Sequence, residues 1–568
     1  MPSSPAVANP DLLSRIPLTA RVVLDVGCGA GALGAAFRPL NPNARLLGLA
    51  DNEDDAAVAR GVLDEVAVVD IDSGALPFDL PRGIDCIVYG DTLQHLKDPF
   101  AVLRRHADAL NQDGVVLICV PNLEHWSFAD HLFRGTWAYA SSGLLDATHL
   151  RWFTLDTMRQ GLLDAGLVPC DVHPRVFDAE AAHRFVETMA PALAALGVDP
   201  NSYLQRATPL QFVWRARKTA RPRLIVAGSM LAPVGGVSHV RVIDPLRALA
   251  TDPTVTTQVM GQIPDTAPGD TTPRIFVLHR PVLSGAHGIG VLRSLMANGW
   301  LVVTEFDDHP DFFAKMDDAA QLTFRGVHAL QTSTPALAQI LLERNPEVAI
   351  FPNAMPRLPE VRNFTDLSSL TLFFGALNRE EDWRWLMPVL NAVADRAGER
   401  LKFRIVHDRT FFDALETPHK TFTPTCDYDT YMDLLGRSEI SFMPLADNPF
   451  NRAKSDLKFI EAGACRVASL ASSVVYGDSV VEGETGLLFR DADELRTRLL
   501  RLLAMPELAQ EIGDNARRYV AEHRMLADQV APRVAWYRSL WARREELYAA
   551  RRARLAETET FRGLAGIL

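Results

Sequence analysis

The chain has 568 residues, well beyond the roughly 250 to 300 at which a single hydrophobic core stops growing, so several domains are expected. Its composition, 48% hydrophobic and 23% charged, is ordinary for a soluble globular protein, and no apolar run approaches the roughly 20 residues that span a bilayer. A formal net charge of -12 argues against a nucleic-acid binder, which needs a basic face.

The opening Met1-Pro2-Ser3-Ser4-Pro5 lacks the basic-then-apolar order of a secretory signal, so a cytoplasmic location is expected. Cys28, Cys86, Cys119, Cys170, Cys426 and Cys465 are scattered without a C-x-x-C pair, which indicates neither zinc nor a disulfide framework.

In chain order, the short apolar runs Arg21 to Val26, Arg45 to Ala50, Val66 to Val69, Ile84 to Gly90 and Gly114 to Val120 read as strands. Amphipathic segments such as Pro99 to Leu110 lie between them, which predicts a parallel α/β sheet. Leu167 to Val172 and Leu210 to Trp214 read as added edge strands, and the basic, proline-containing stretch Arg215 to Arg223 reads as a linker. The series then restarts with Leu224 to Ala227, Arg274 to Leu278 and Leu301 to Glu305. It restarts again at Leu370 to Phe374, after the proline-punctuated Met355-Pro356-Arg357-Leu358-Pro359. The expected domains are therefore 1–218, 223–355, 368–525 and a helical segment 526–568.

The first strand ends in Asp25-Val26-Gly27-Cys28-Gly29-Ala30-Gly31, alternating glycines that let a nucleotide-like ligand approach backbone. Gly29-Ala30-Gly31-Ala32-Leu33-Gly34 also satisfies the dinucleotide pattern, with Asp51 about 20 residues on, so a nicotinamide-binding first domain stays open. The wider set comprises Asp70-Ile71-Asp72, Tyr89 to Leu96, Val120 to Trp126 and Leu144 to Thr154. Together these segments resemble class I S-adenosylmethionine-dependent methyltransferases over roughly residues 15–218. The resemblance implies that Gly27, Gly29 and Gly31 line the donor's amino-acid and ribose portion, that Asp25 lies beneath it, and that Asp70 and Ile71 flank adenine. Gly48 is followed by Leu49 and Ala50, not by the family's usual acidic residue, so the ribose hydroxyls fall to Asp51 with a one-residue shift. An alcohol acceptor benefits from a base, and His125 and His149 are the catalytic candidates; a hydrogen-bonded turn of His149 with Asp146 and Arg151 is the structural alternative.

The second half carries Phe373 to Arg379, Phe403 to His407, Ile440 to Leu445, Lys458 to Ala464 and Gly483 to Phe489. These segments resemble the C-terminal lobe of GT-B glycosyltransferases, particularly the family 4-like enzymes. The resemblance spans roughly residues 223–525 and implies a nucleotide-sugar donor in a cleft between two Rossmann-like lobes. A leaving diphosphate can be met by cations without a metal, which assigns Arg379 and Lys454 to the phosphates, with Lys458 beside them. Glu461 is assigned to the ribose hydroxyls, and Gly235-Gly236 to close backbone approach. His239 and His279 are further cleft candidates, and Asp307-Asp308 reads as a turn or acceptor contact, with no metal expected. The family's glutamate pair would put its first member at position 453, where this chain has Ala453.

The terminal stretch holds Arg533, Arg538, Arg543, Arg544, Arg551, Arg552, Arg554 and Arg562 with Trp536, Leu540, Trp541 and Leu547. A closing helix across the lobes is the favoured reading, and a basic amphipathic helix making peripheral contact with a membrane that bears a lipid-linked acceptor is the alternative. The whole is read as a bifunctional α/β enzyme that methylates and adds sugars in assembling a glycan, with a glycan or lipid-linked saccharide as acceptor and no nucleic-acid partner. The competing reading keeps the methyltransferase and makes the second half a degenerate docking or glycan-binding module.

Overall fold

The computed structural model describes residues 7–230, 235–259, 270–312, 321–362 and 366–557. The chain divides into two compact units, Met1–Pro222 with Ala250–Thr254, and Arg223–Leu249 with Val255–Leu568.

The first unit is built on β1 (Val22–Val26), β2 (Arg45–Ala50), β3 (Glu65–Val68), β4 (Ile84–Gly90), β5 (Leu110–Pro121), β6 (Val168–Arg175) and β7 (Gln211–Arg217), in the order β3-β2-β1-β4-β5-β7-β6. The first five strands are parallel, and β7 runs antiparallel between β5 and β6. Leu24, Val26, Leu47, Leu49, Ile87 and Tyr89 lie in the core, and β1 and β4 are buried at successive positions, as parallel strands covered on both faces must be.

The stretch expected as a linker begins inside β7. Arg215 and Arg217 are buried strand residues, paired with Asp171 of β6 and Asp113 of β5. Composition misleads here because an arginine can lay its aliphatic stem along a sheet while its head reaches a carboxylate.

The second unit holds two parallel sheets. One contains β8 (Leu224–Met230), β9 (Val255–Val259), β10 (Arg274–His279), β11 (Leu301–Glu305), β12 (Ala329–Thr332) and β13 (Val348–Ile350), ordered β13-β12-β11-β10-β8-β9. The other contains β14 (Leu370–Gly375), β15 (Leu401–Val406), β16 (Lys420–Thr423), β17 (Ile440–Met443), β18 (Ala468–Ser472) and β19 (Gly486–Phe489), ordered β16-β15-β14-β17-β18-β19. Short or polar strands such as β9 and β16 give little periodic signal and are absent from the sequence reading. Met355, in the expected inter-lobe linker, is buried and tied down: its N–H donates to the Arg524 carbonyl at 2.8 Å, and the Leu526 N–H donates to the Met355 carbonyl at 2.9 Å.

The helices Ala527–Ala542 and Arg544–Ala556 return to the first of these sheets. Tyr537 Oη donates to Gln331 Oε1 at 2.8 Å, Arg554 donates to the Val327 carbonyl at 2.8 Å, and Leu555 joins the core with Leu330. Leu540 and Leu547 are buried and Trp536 and Trp541 half-buried, as the closing-helix reading expects. Residues 558–568, Arg562 among them, lie outside the described residues.

Candidate functional site

In the first unit, the loop after β1 holds Gly27, Gly29 and Gly31 at φ values of 75°, 49° and 81°, backbone that glycine adopts without steric cost. The three differ in what surrounds them. A Cβ at Gly27 would meet Thr92 Oγ1 at 2.6 Å, and one at Gly31 would meet Val62 Cγ2 at 2.7 Å, whereas one at Gly29 would meet nothing within 4 Å. Gly27 and Gly31 therefore answer to internal packing, and Gly29 faces open space where a ligand can lie against the backbone. Thr92 Oγ1 also donates to the Val26 carbonyl at 2.7 Å, stitching the end of β4 to the end of β1.

Of the other expected donor residues, Asp51, Asp70 and Ile71 follow the carboxyl ends of β2 and β3, the side on which ligands bind in open α/β sheets. Asp51 directly follows β2 and is exposed, accepting from Asn52 Nδ2 at 2.8 Å. Asp70 caps the short turn Ile71–Ser73 by accepting from Asp72 N–H at 3.1 Å, and Ile71 is buried. Asp25 lies within β1, and burial pushes its carboxyl up to about 7.

The two candidate histidines fall in different settings. His125 is the N-cap of the helix Trp126–Arg134, with Nδ1 2.8 Å from Ser127 Oγ; burial lowers it to about 4, which makes it a weak base. His149 stands edge-on to His95, ring centroids 5.0 Å apart, on a segment anchored by the N–H groups of Leu150 and Arg151 donating to the Gln94 carbonyl. Burial and the neighbouring His95 both lower its proton affinity, so it is neutral near pH 7. Asp146 does share its turn, accepting from Thr148 Oγ1 at 2.7 Å, and that hydroxyl also lies 3.1 Å from His95 Nδ1. Sequence reasoning passed over His95, although its place just beyond β4 was a usable signal.

In the second unit a cavity of about 500 Å³ opens between the carboxyl ends of the two sheets. Gly236, Arg280 and Asp307 reach it from one lobe; Arg379, Lys454, Lys458 and Glu461 reach it from the other. Gly235 opens the same short helix as Gly236, and a Cβ at Gly236 would lie 2.9 Å from Tyr428 Cδ2. Glu461, on the helix Leu457–Ala464, accepts from Tyr428 Oη at 2.9 Å. Burial lifts its carboxyl to about 7 against the opposing pull of Lys458 and of that hydrogen bond. Lys458 donates to the Gly375 carbonyl at the end of β14, and burial lowers its proton affinity. Arg379 donates to Asn451 Oδ1 at 3.0 Å and pairs with Asp382 at 3.3 Å.

Asp307 and Asp308 are ion-pair partners more than a turn. Asp307 receives both forks of Arg280, at 2.6 and 3.0 Å; burial alone would raise its carboxyl, but His279 and Arg280 hold it well below the usual range. Asp308 pairs with Lys454 at 2.6 Å. His279 is 3.5 Å from Asp307, and His239 stacks on Tyr428. Tyr428 and Arg280 were not foreseen. Arg280 had a signal, a charge directly after a strand, whereas Tyr428 had none, since only folding brings it to Glu461.

Residues 6–171 match a family model described as a methyltransferase domain, and residues 384–531 match one described as glycosyl transferase-like. Trans-aconitate 2-methyltransferase of Escherichia coli O139:H28 (strain E24377A / ETEC) is 30% identical over 131 residues, 23% of this chain and 49% of that protein. Ubiquinone biosynthesis O-methyltransferase of Dinoroseobacter shibae is 28% identical over 174 residues, 30% of this chain and 68% of that protein. The chain thus spans about half the length of the first curated relatives it matches. Sucrose-phosphate synthase from Thermosynechococcus elongatus is a similar solved structure at 15% identity and a TM-score of 0.41, covering 56% of this chain and 100% of that one. The chain joins a methyltransferase domain to a glycosyl transferase-like domain in one polypeptide.

Proposed function

We propose that the protein is a bifunctional enzyme of glycan assembly, transferring a methyl group from S-adenosylmethionine in its first unit and a sugar from a nucleotide sugar in its second. The observation that carries this reading is the cavity of about 500 Å³ at the carboxyl ends of the second unit's strands, with Glu461 buried in it; in the first unit the reading is supported by the open space beside the Gly29 backbone after β1.

In the first unit, S-adenosylmethionine when bound supplies an electrophilic methyl group. Gly29 gives it backbone contact, Asp51 is placed for ribose hydroxyls, and Asp70 with Ile71 flanks the base. Asp25, ionised above about pH 7, sets a negative charge beneath the loop. His149 takes the proton from an acceptor hydroxyl, whose oxygen would gain the methyl group as that carbon's bond to the donor sulfur breaks and the thioether leaves; His125, committed to its cap, has no part in this step. In the second unit, Arg379, Lys454 and Lys458 meet the diphosphate, Glu461 holds ribose hydroxyls, and Gly235-Gly236 lets the opposing lobe approach the donor. The sugar's anomeric carbon gains the acceptor oxygen and loses the nucleoside diphosphate, whose charge those cations offset. The acceptor is a glycan or lipid-linked saccharide. The cysteines are all free thiols, which supports a reducing, cytoplasmic setting.

Calorimetric titration of the full chain with S-adenosylmethionine, NAD and the diphosphate sugars of uridine, guanosine and thymidine tests both halves. Two independent sites are expected, with only the sugar nucleotide lost in Glu461→Ala. Binding of NAD in place of S-adenosylmethionine would overturn the first half. The second reading, a docking or glycan-binding module, is favoured by Ala453, a buried methyl group where the related glycosyltransferases carry a carboxylate; it wins if no sugar nucleotide binds.

A further inference from the structure

Among the described residues, the cations that line the cleft are mostly paired with carboxylates. Arg241 lies 2.8 Å from Glu305, Arg280 2.6 Å from Asp307, Arg379 3.3 Å from Asp382 and Lys454 2.6 Å from Asp308. Lys458 donates to the Gly375 carbonyl and stands in the field of Glu461. A nucleoside diphosphate that draws on Arg241, Arg280, Arg379 or Lys454 must take it from a carboxylate that already holds it.

The pairs are unequal in how readily they exchange. Arg241 is almost wholly buried and also donates to the Phe351 carbonyl and to Asn353 Oδ1, both at 2.8 Å, so four of its N–H groups are engaged. Arg280 grips Asp307 through two nitrogens. Asp382, beside Arg379, is held in place by Asn451 Nδ2 at 2.6 Å and by the Ala446 N–H at 2.9 Å. Lys454 and Asp308 meet at one contact, each with its side chain still partly open, 19% and 15% exposed. A lysine ammonium is a point charge that can change partners by turning its stem, whereas a guanidinium fork must give up matched bonds. Lys454 also reaches Phe450, with Nζ 4.0 Å from the ring centroid, so part of its stabilisation survives a change of anion. Asp308 follows β11 in one lobe and Lys454 precedes the helix Leu457–Ala464 in the other, so the contact bridges the cleft.

We propose that Asp308 is an affinity-determining residue of the cleft: its carboxylate holds Lys454 in the place a donor diphosphate would take, and the diphosphate binds by displacing it. The inference rests on the donor-site reading above. It requires the Asp308–Lys454 pair to be replaced by a phosphate–Lys454 pair, with no net change in the number of ion pairs. The ligand class is a nucleoside diphosphate; an uncharged nucleoside occupies the same cavity without feeling Asp308.

The test is calorimetric titration of wild type, Asp308→Asn, Asp308→Ser, Lys454→Met and the Asp308→Asn/Lys454→Met double variant with uridine, guanosine and thymidine diphosphates and with the parent nucleosides. Asp308→Asn should bind the preferred diphosphate about tenfold more tightly, a coupling typical of close charge pairs, and the nucleoside as wild type does. Lys454→Met should weaken the diphosphate, and the double variant should show no gain over it. Unchanged or weaker diphosphate binding in both Asp308 variants would overturn the proposal. If no diphosphate binds any form, the donor-site reading fails and this inference fails with it; if all forms bind alike, only this inference fails. Should the variants not fold, the wild-type crystal structure with the diphosphate decides, because a retained Asp308–Lys454 contact refutes the exchange.

Discussion

Asp25 in the first unit and Glu461 in the second are both buried carboxyls lifted to about 7, yet they reach that state differently. Burial is the whole cause at Asp25. Glu461 is buried among partners, with Tyr428 donating to it and Lys458 pulling the other way. The first is a lone charge site beneath an open glycine loop, made by one stretch of chain. The second is a finished network drawn from two helices far apart in the chain, Tyr428–Gly436 and Leu457–Ala464. A site made locally stays open and incomplete until a ligand completes it, whereas one assembled by tertiary contacts is already satisfied and must be rearranged on binding.

The largest expected effect lies in the assembled site. Arg241→Met leaves Glu305 buried without its cation, and a loss of about 3–5 kcal/mol is expected. Thermal unfolding should show it while S-adenosylmethionine affinity stays at the wild-type value; equal damage to both activities would break the contrast. Next, His149→Asn should slow methyl transfer by about a hundredfold with donor binding intact. His125→Ala, which removes only a cap, should cost about 1 kcal/mol of stability and little rate. A reversal of those two outcomes in a methyl-transfer assay would move the base to His125.

Gly29→Ala sharpens the contrast further. Its left-handed φ costs about 1–2 kcal/mol, but its Cβ meets no protein atom, so the methyl group intrudes on ligand alone. S-adenosylmethionine affinity should therefore fall more than stability, and Gly27→Ala, clashing with Thr92, should do the opposite.

The remaining effect is in pH. Both carboxyls hold a proton more tightly folded than unfolded, so their contribution to stability is complete below the ordinary carboxyl range and is lost as pH rises through about 7. Ligand binding that needs the ionised form runs the other way, strengthening as pH rises to about 7 and then levelling. Titrations across that range should show the slope for S-adenosylmethionine in wild type and not in Asp25→Asn, and for nucleoside diphosphate in wild type and not in Glu461→Gln. A slope that survives the substitution would reassign the titrating group.

Much of the fold was legible because parallel strands buried on both faces are continuous apolar runs: β2, β4 and β11 stand at the residues where the pattern puts them. Legibility failed where polarity and burial part company. Arg215 and Arg217 look like a linker and are buried strand, whereas the arginine-rich end packs on its own sheet as the closing-helix reading expects. In the sites, Gly27, Gly29 and Gly31 were legible as one motif because a turn at a strand end is a local demand on φ. His95 beside His149, Tyr428 on Glu461 and Asp308 on Lys454 were not, since each pair is far apart in the chain.

The sequence by itself determined the strands, the glycine loop and the two kinds of domain, because backbone conformation and apolar periodicity are properties of neighbouring residues. Only the tertiary structure decided which charges are paired, which histidine is a cap and how far burial shifts a carboxyl. Those are set by the dielectric and the partners that folding brings within a few ångströms, and no spacing along the chain encodes them.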